Sequence, residues 1–303
     1  MTARQPVEAL ALPAIFSAAD SSSLDGQRRF LRATKLRLVM LTVAAGAGGV
    51  SGIIGGYAGL LAAAGFVAAL AAEGYILKTR PDRIWYEGRA AAESAKTLAW
   101  RYAVGGEPFC VTAVTGADAD RLLIDRLKEV LKDLSGLDLS ALSADGQQIT
   151  DEMRALRGDT LDARKAAYET HRIADQRTWY AAKAKWNSSR ARRWSAAMLM
   201  VEALGAITAL VKATGGLSGV AWILGLLGAA GAAGAAWVQT RQHQGLASAY
   251  LVAANELASI CALIRWQQAE EEWAAFVRDA ERAISREHSL WRASRGVRAK
   301  FAE

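Results

Sequence analysis

Apolar and charged positions are segregated along the chain: Leu38 to Ala72 carries no charged residue, and neither does the stretch 220–240. As one helix the first run would be about 52 Å long at 1.5 Å per residue, well beyond the roughly 30 Å of a bilayer core. The glycine-rich IIGGYAGLL at residues 53–61 interrupts it near its centre. The pattern therefore predicts two antiparallel membrane helices, near residues 36–55 and 57–77, joined by a tight turn. It recurs downstream, where residues 194–211 are apolar apart from Glu202, Lys212 and the GGLSG of residues 215–219 mark a turn, and residues 220–240 complete a second hairpin. Spans near 194–213 and 219–240 follow.

Outside the hairpins the periodicity is that of amphipathic helices. Pro81 opens a helix that stops at Gly105, Gly106 and Pro108, with Arg89 and Glu93 one turn apart and able to pair. Residues 118–134 place Leu123, Leu127, Val130 and Leu134 on one side, and loops are expected on either flank. From about Asp159 one long helix runs toward the membrane with Trp179, Trp186 and Trp194 as a packing stripe. A last long helix over 241–295 repeats Leu246, Tyr250, Ala253, Leu257, Ile260, Ile264 and Ala274 at 3.5 to 3.6 residues. The fold expected is an all-α membrane protein: two transmembrane hairpins, four spans, and long cytoplasmic helices forming a bundle. The expected domains are a disordered N-terminal tail over 1–24, a first two-span unit over 25–135, a linker over 136–150 and a second two-span unit over 151–300. A Thr-Arg pair leaves each hairpin, Thr79-Arg80 and Thr240-Arg241, which marks an internal repeat.

Composition sharpens this picture. Four prolines and 27 glycines in 303 residues, with Ala/Leu/Glu/Arg/Lys-rich stretches between the apolar runs, leave almost no room for sheet. The net charge of +7 is largely topological. Arg28, Arg29, Arg32, Lys35 and Arg37 precede the first hairpin and Lys78, Arg80 and Arg83 follow it, while Lys183, Lys185, Arg190, Arg192, Arg193 and Arg241 flank the second. Only Lys212 lies in a turn, so the positive-inside rule places both termini and the central region in the cytoplasm. The basic residues form no aromatic-interleaved patch, and nucleic acid is not expected as a partner. Residues 1–23 do not read as a signal peptide, because Glu8 and Pro13 interrupt the short apolar run. Cys110 and Cys261 share no ligand or disulfide spacing and are expected as packed, reduced thiols.

Small residues recur at spacing four, Ala44, Gly48, Gly52 and Gly56 in the first span and Gly228, Ala232 and Ala236 in the fourth. Such stripes let helices approach closely, within one chain or between copies. Chemistry is scarce: there is no P-loop, no GxGxxG after a strand and no GxSxG, and His171, His243 and His288 lack partner spacing. Glu270, Glu271 and Glu272 read as a solvated helix face rather than a metal site. No enzyme activity and no cofactor are expected. The residues of interest are electrostatic. Arg89, Glu93, Lys96 and Arg101 form one group, and Lys183, Asn187 and Arg190 another, each a candidate for an anionic nucleotide or for lipid phosphates. Glu202 lies about 12 Å along its helix from Trp194, and Glu73 enters the membrane to a comparable depth; both are pore or gating candidates. An ionised carboxylate facing lipid is disfavoured by a few kcal/mol, so Glu202 is expected to face inward.

Two segments carry a family resemblance. RPDRIWYEGRAAAESAKTLAWRYAVGGEPF, residues 80–109, contributes Trp85, Tyr86, Glu93, Ser94, Lys96, Trp100 and Pro108-Phe109, and YETHRIADQRTWYAAKAKWNSSRARRW, residues 168–194, contributes Arg172, Gln176, Trp179, Tyr180, Lys183 and Asn187. Each adjoins a hairpin, and over about residues 25–295 the chain resembles tandem SLATT domains, the two-transmembrane domains found beside nucleotide-signal synthases and SLOG sensors; the second copy also resembles DUF4231. The resemblance implies a membrane effector of a prokaryotic antiviral conflict system, a homo-oligomer that forms a pore or disrupts the bilayer when a nucleotide second messenger or sensor protein signals. It carries over no catalytic residue. A membrane-anchored scaffold that recruits a cytoplasmic partner without a pore is the alternative. A transporter would need more interrupted helices and more polar midplane residues than these spans contain.

Overall fold

The computed structural model describes residues 10–132, 146–215 and 221–293. All regular structure among these residues is helical: α1 Ala14–Ile54, α2 Gly56–Thr79, α3 Pro81–Val104, α4 Gly116–Lys132, α5 Asp151–Gly158, α6 Leu161–Ala167, a π-helical turn Tyr168–Ala174, α7 Asp175–Ala213, α8 Ala221–Arg241, α9 His243–Ile264 and α10 Glu270–Ala293. Four helical stretches are long and apolar enough to cross a membrane. The chain divides into two compact units that cut across the sequence repeat. One gathers both hairpins, residues 27–82 and 185–247; the other gathers residues up to 26, 83–184 and those from 248 onward.

Within the hairpin unit, the first turn is a single residue, Gly55, at φ 83°, which an L side chain rarely adopts. The hairpin closes on α2 residues Ala58, Ala62, Gly65, Ala69 and Ala72, all buried. A Cβ on Gly65 would lie 3.0 Å from the Met40 carbonyl oxygen and 3.0 Å from the Ala44 Cβ. α1 also meets α8, where a Cβ on Gly49 would lie 2.9 Å from the Trp222 Cβ. α8 in turn meets α7 through Gly234 against Met198 and Gly231 against Val201. Glycine is used where backbones must approach closely in the absence of a water-exclusion drive. Of the small-residue stripes, Ala44 and Gly48 serve hairpin closure, whereas a Cβ on Gly52, Gly56 or Gly228 would meet nothing within 4 Å. The Lys212 turn includes Gly215 at φ 81°; the rest of the GGLSG lies outside the described residues.

The second unit is a helical bundle around a core of Trp100, Tyr102, Phe109, Leu123, Met153, Tyr168, Tyr180, Leu257, Trp273 and Val277. Leu123, Leu127 and Val130 bury as their spacing predicts; Leu134 lies outside the described residues. Gly105 ends α3 at φ 76°, and Thr160 caps α6 by accepting from Ala163 N–H at 3.3 Å.

The exits of the two hairpins are equivalent. α2 and α8 each end in a left-handed residue at or just past the Thr-Arg pair: Arg80, the arginine of the first pair, at φ 43°, and Gln242, which follows the second pair, at φ 48°.

Two expectations are corrected. Residues 14–24, expected as disordered tail, are the first turns of α1, because Ile15, Ala18 and Ala19 are buried and Gly88 lets α3 come close. A Cβ on Gly88 would lie 2.9 Å from the Ala19 carbonyl oxygen; residues 1–9 of that tail lie outside the described part. The last helix is also not continuous. It breaks between Ile264 and Glu270, where Glu272 accepts from the Gln268 and Ala269 N–H groups at 3.3 and 3.4 Å and Lys165 donates to the Gln267 carbonyl at 2.8 Å. The apolar row survives the break: Ala253, Leu257, Ile264 and Ala274 are all buried.

Candidate functional site

The two membrane carboxylates have different settings. Glu73 on α2 pairs with Arg37 on α1, with both side chains about one-third exposed, so this charge is matched across the first hairpin. Glu202 on α7 is exposed on the surface of the chain, against the expectation that it faces inward. Around it Leu199, Met200, Leu204, Ile207 and Leu210 are exposed as well. No hydrogen bond or ion pair is described for Glu202 among the described residues.

In the bundle, the group on α3 becomes an interior charge layer. Arg89 pairs with Glu93 at 2.6 Å, as the four-residue spacing predicts, and with Asp20 of α1 at 3.6 Å. Glu93 and Lys96 are 6% and 3% exposed, and the Lys96 ammonium lies 6.0 Å from the Phe16 ring centroid. Burial raises the Asp20 carboxyl, with Arg89 opposing. Burial lowers Arg89, but Glu93, Tyr250 and Asp20 more than compensate, so its net shift is upward. Arg101 stands apart, donating from Nε to the Glu107 carbonyl; burial lowers its pKa. Layers of this kind are structural when their charges are matched inside the chain.

Of the second group, Lys183 lies 5.4 Å from the Trp179 ring in the bundle. Asn187 and Arg190 belong to the hairpin unit. Asn187 Oδ1 accepts from His243 Nδ1 at 2.7 Å, and the Arg190 guanidinium lies 5.4 Å from the Trp186 ring.

The most deeply buried charges belong to neither of these groups. Glu281 on α10 is fully buried and is held by Arg172 through Nε at 2.8 Å and Nη2 at 2.6 Å, by Thr97 Oγ1 at 2.8 Å and by Tyr168 Oη at 3.0 Å. Burial and then the Glu281 charge raise the Tyr168 phenol well above its usual range. Burial pulls the Arg172 guanidinium down, but Glu281 overrides it. Arg164 donates to the Val104 carbonyl at 2.9 Å and pairs with Glu270, and Arg157 donates to the carbonyls of Tyr102, Phe109 and Val114.

A signal for this core is present in the sequence. Arg164, Tyr168, Arg172, Gln176, Tyr180 and Ala184 are all buried and follow each other at a strict spacing of four. At 3.6 residues per turn, such a row drifts about 40° per step. The wider i→i+5 turn at Tyr168–Ala174 offsets that drift and keeps Tyr168 and Arg172 facing Glu281.

Of the acidic run, expected as a solvated face, Glu271 and Glu272 are exposed and Glu270 is half-buried, and each also has a partner. Glu270 pairs with Arg164, Glu271 accepts from Thr112 at 2.7 Å, and Glu272 caps α10. No group of His, Cys, Asp and Glu suited to hold a metal ion occurs among the described residues. Cys110 and Cys261 are free.

Comparison with known proteins agrees with this architecture. Residues 13–165 match the family model described as SMODS and SLOG-associating 2TM effector domain 3, and residues 168–291 match SMODS and SLOG-associating 2TM effector domain 1. No curated protein and no solved structure matches the chain. With one match over each half, each containing one hairpin, the chain belongs to the SLATT family of two-transmembrane effector domains and carries two of them in tandem.

Proposed function

We propose that this chain is a conflict-system effector of the bacterial inner membrane, with both termini and the bundle on the cytoplasmic side. Several copies assemble around Glu202 into a permeation path that opens on a cytoplasmic signal, a nucleotide or a sensor protein. The observation that carries the reading is the exposed carboxylate of Glu202 within an apolar span. Facing lipid, it would be disfavoured by about 2.5 to 3.5 kcal/mol; a second copy or a water-filled path removes that penalty. Gly225, Gly228, Ala232 and Ala235 on α8 are also exposed and offer a small-residue seam for a second chain. The flanking arginines and lysines support the sidedness, and the effector description of both matched domains supports the class.

The test is expression in bacteria with a membrane-potential dye, comparing the native chain with Glu202→Gln at equal membrane abundance. Once the activating signal is present, the native chain should depolarise the cells, and the variant should do so at least several-fold less. Full potential in cells where the native protein is abundant, crosslinks as an oligomer and has received its signal would rule out the pore. The anchored scaffold would then stand.

A further inference from the structure

Arg101 stands apart from the charge layer of α3, and its surroundings on α10 say why. The turn that ends α3 folds back onto α10, where Glu107 N–H donates to the Ala274 carbonyl at 3.0 Å. One helical turn further along α10, Arg278 Nη1 pairs with the Glu107 carboxylate at 2.5 Å, while the Glu107 carbonyl accepts from Arg101 Nε. Arg278 also forks onto Asp279, through Nε at 2.8 Å and Nη2 at 3.1 Å, and Arg282 reaches the same carboxylate at 3.9 Å. Glu107 and Asp279 thus tie three guanidiniums into one cluster, all within one compact unit. Two carboxylates do not match three cations.

The neighbouring charges do not make up the difference. Glu281, the acid whose charge acts most on Arg101, is fully buried and taken up by Arg172, Thr97 and Tyr168. Arg126 also bears on Arg101, but it is one more cation and is paired with Glu129 at 3.1 Å. Arg101 itself has no ion pair among the described residues, and its hydrogen bond uses Nε alone. The residue is half-buried, so water compensates its charge only in part. Burial pulls the Arg101 guanidinium down, with Glu281 and Glu107 opposing and Arg282 and Arg126 adding to the effect, whereas hydrogen bonds to Asp279 and Glu107 push Arg278 up. The excess positive charge rests on Arg101. With Nε fixed to a carbonyl, its guanidinium offers the Nη1 and Nη2 edge, a planar pair of donors spaced for two oxygens of one oxyanion.

We propose that Arg101, with Arg278 and Arg282 beside it, binds the phosphate group of a small soluble ligand where the end of α3 meets α10. Arg101 makes the bidentate contact. The two α10 arginines keep their carboxylates and contribute through the local field. A phosphate carries more negative charge at pH 7 than a carboxylate and gains more from that field. Free phosphate and a phosphate ester such as a nucleotide share this chemistry. The site gives the cytoplasmic signal of the proposed function a chemical class and rests on that reading for its role, whereas binding itself is measured apart from permeation.

The experiment is equilibrium dialysis of the full chain in phosphatidylcholine nanodiscs at low ionic strength, with radiolabelled inorganic phosphate, adenosine monophosphate or acetate as probe and empty nanodiscs as blank. At least one phosphate probe should bind saturably with a Kd below about 1 mM; the tighter of the two identifies free phosphate or a phosphate ester as the source. Arg101→Gln should weaken that binding at least about tenfold, by loss of a charge-assisted bidentate contact. Arg282→Gln should weaken it about two- to fivefold through the field alone. Arg121→Gln, at a side chain on α4 that is 80% exposed and paired with Asp118, should leave it unchanged. No saturable binding of either phosphate probe up to about 10 mM overturns the site. Native affinity in a folded Arg101→Gln chain overturns it too, and if that variant does not fold, native affinity in Arg282→Gln does so in its place. Acetate bound as tightly as phosphate overturns the phosphate assignment and points to a carboxylate of a partner protein.

Discussion

Replacing Glu281 with Leu strands the Arg172 guanidinium in the centre of the bundle. Arg172 and Glu281 side chains are 1% and 0% exposed, so water cannot take over as partner. Breaking a buried pair from one side costs about 3 to 5 kcal/mol. The Tyr168 and Thr97 hydroxyls lose their acceptor as well, and they recover part of that loss by rotating. At about 2 to 4 °C per kcal/mol for chains of this size class, the loss corresponds to on the order of 10 °C in thermal midpoint. The assay is circular dichroism melting of the detergent-solubilised or nanodisc-embedded chain. The double variant Arg172→Leu/Glu281→Leu removes both charges, and replacing a buried pair with apolar residues is commonly neutral or favourable. It should therefore recover at least half of the lost stability. A single variant that melts within 2 °C of the native chain, or a double variant no better than the single, would refute the reasoning.

Gly65→Ala should lose about 1 to 3 kcal/mol, because the added methyl meets the Met40 carbonyl and Ala44; Gly52→Ala, with open space at that position, should melt like the native chain. Asp20→Asn should be more stable than the native chain at pH 7. Burial raises the folded-state pKa of Asp20 above its usual 3.8, so ionisation costs the fold at neutral pH, and the advantage should close as the pH falls toward 4. His243 has the opposite sign: with its folded-state pKa down at about 4, its stabilising contribution is full above pH 6.5 and is lost as the pH falls from 6.5 toward 4. Melting curves in phosphatidylcholine nanodiscs should show His243→Gln removing that part of the acid sensitivity.

The spans, the single-residue hairpin turn and the Arg89–Glu93 pair were legible because each depends on local pattern: hydropathy, glycine punctuation, and spacing within one helix turn. Features set by long-range contacts were not. The start of α1 near Ala14 depends on α3 approaching at Gly88, and the break before Glu270 contains neither glycine nor proline. Its cap is Glu272, one of three adjacent glutamates that read as solvated from sequence. Arginines at 157, 164 and 172 look like surface residues until their acceptors are known, and those acceptors are carbonyls or carboxylates of distant segments such as Val104 and Glu281. The strict four-residue row from Arg164 to Ala184 announces Arg164 and Arg172, but not Arg157. The exposure of Glu202 was illegible for another reason: hydropathy places a residue in the membrane but does not say which face of its helix the rest of the chain covers.

The most direct test of the central claim is ion flux through purified protein reconstituted in liposomes. The native chain should release an entrapped ion once assembled, and Glu202→Gln at equal insertion should alter rate or selectivity several-fold. Liposomes that stay tight with correctly inserted, oligomeric protein, with and without the activating signal, would contradict the account.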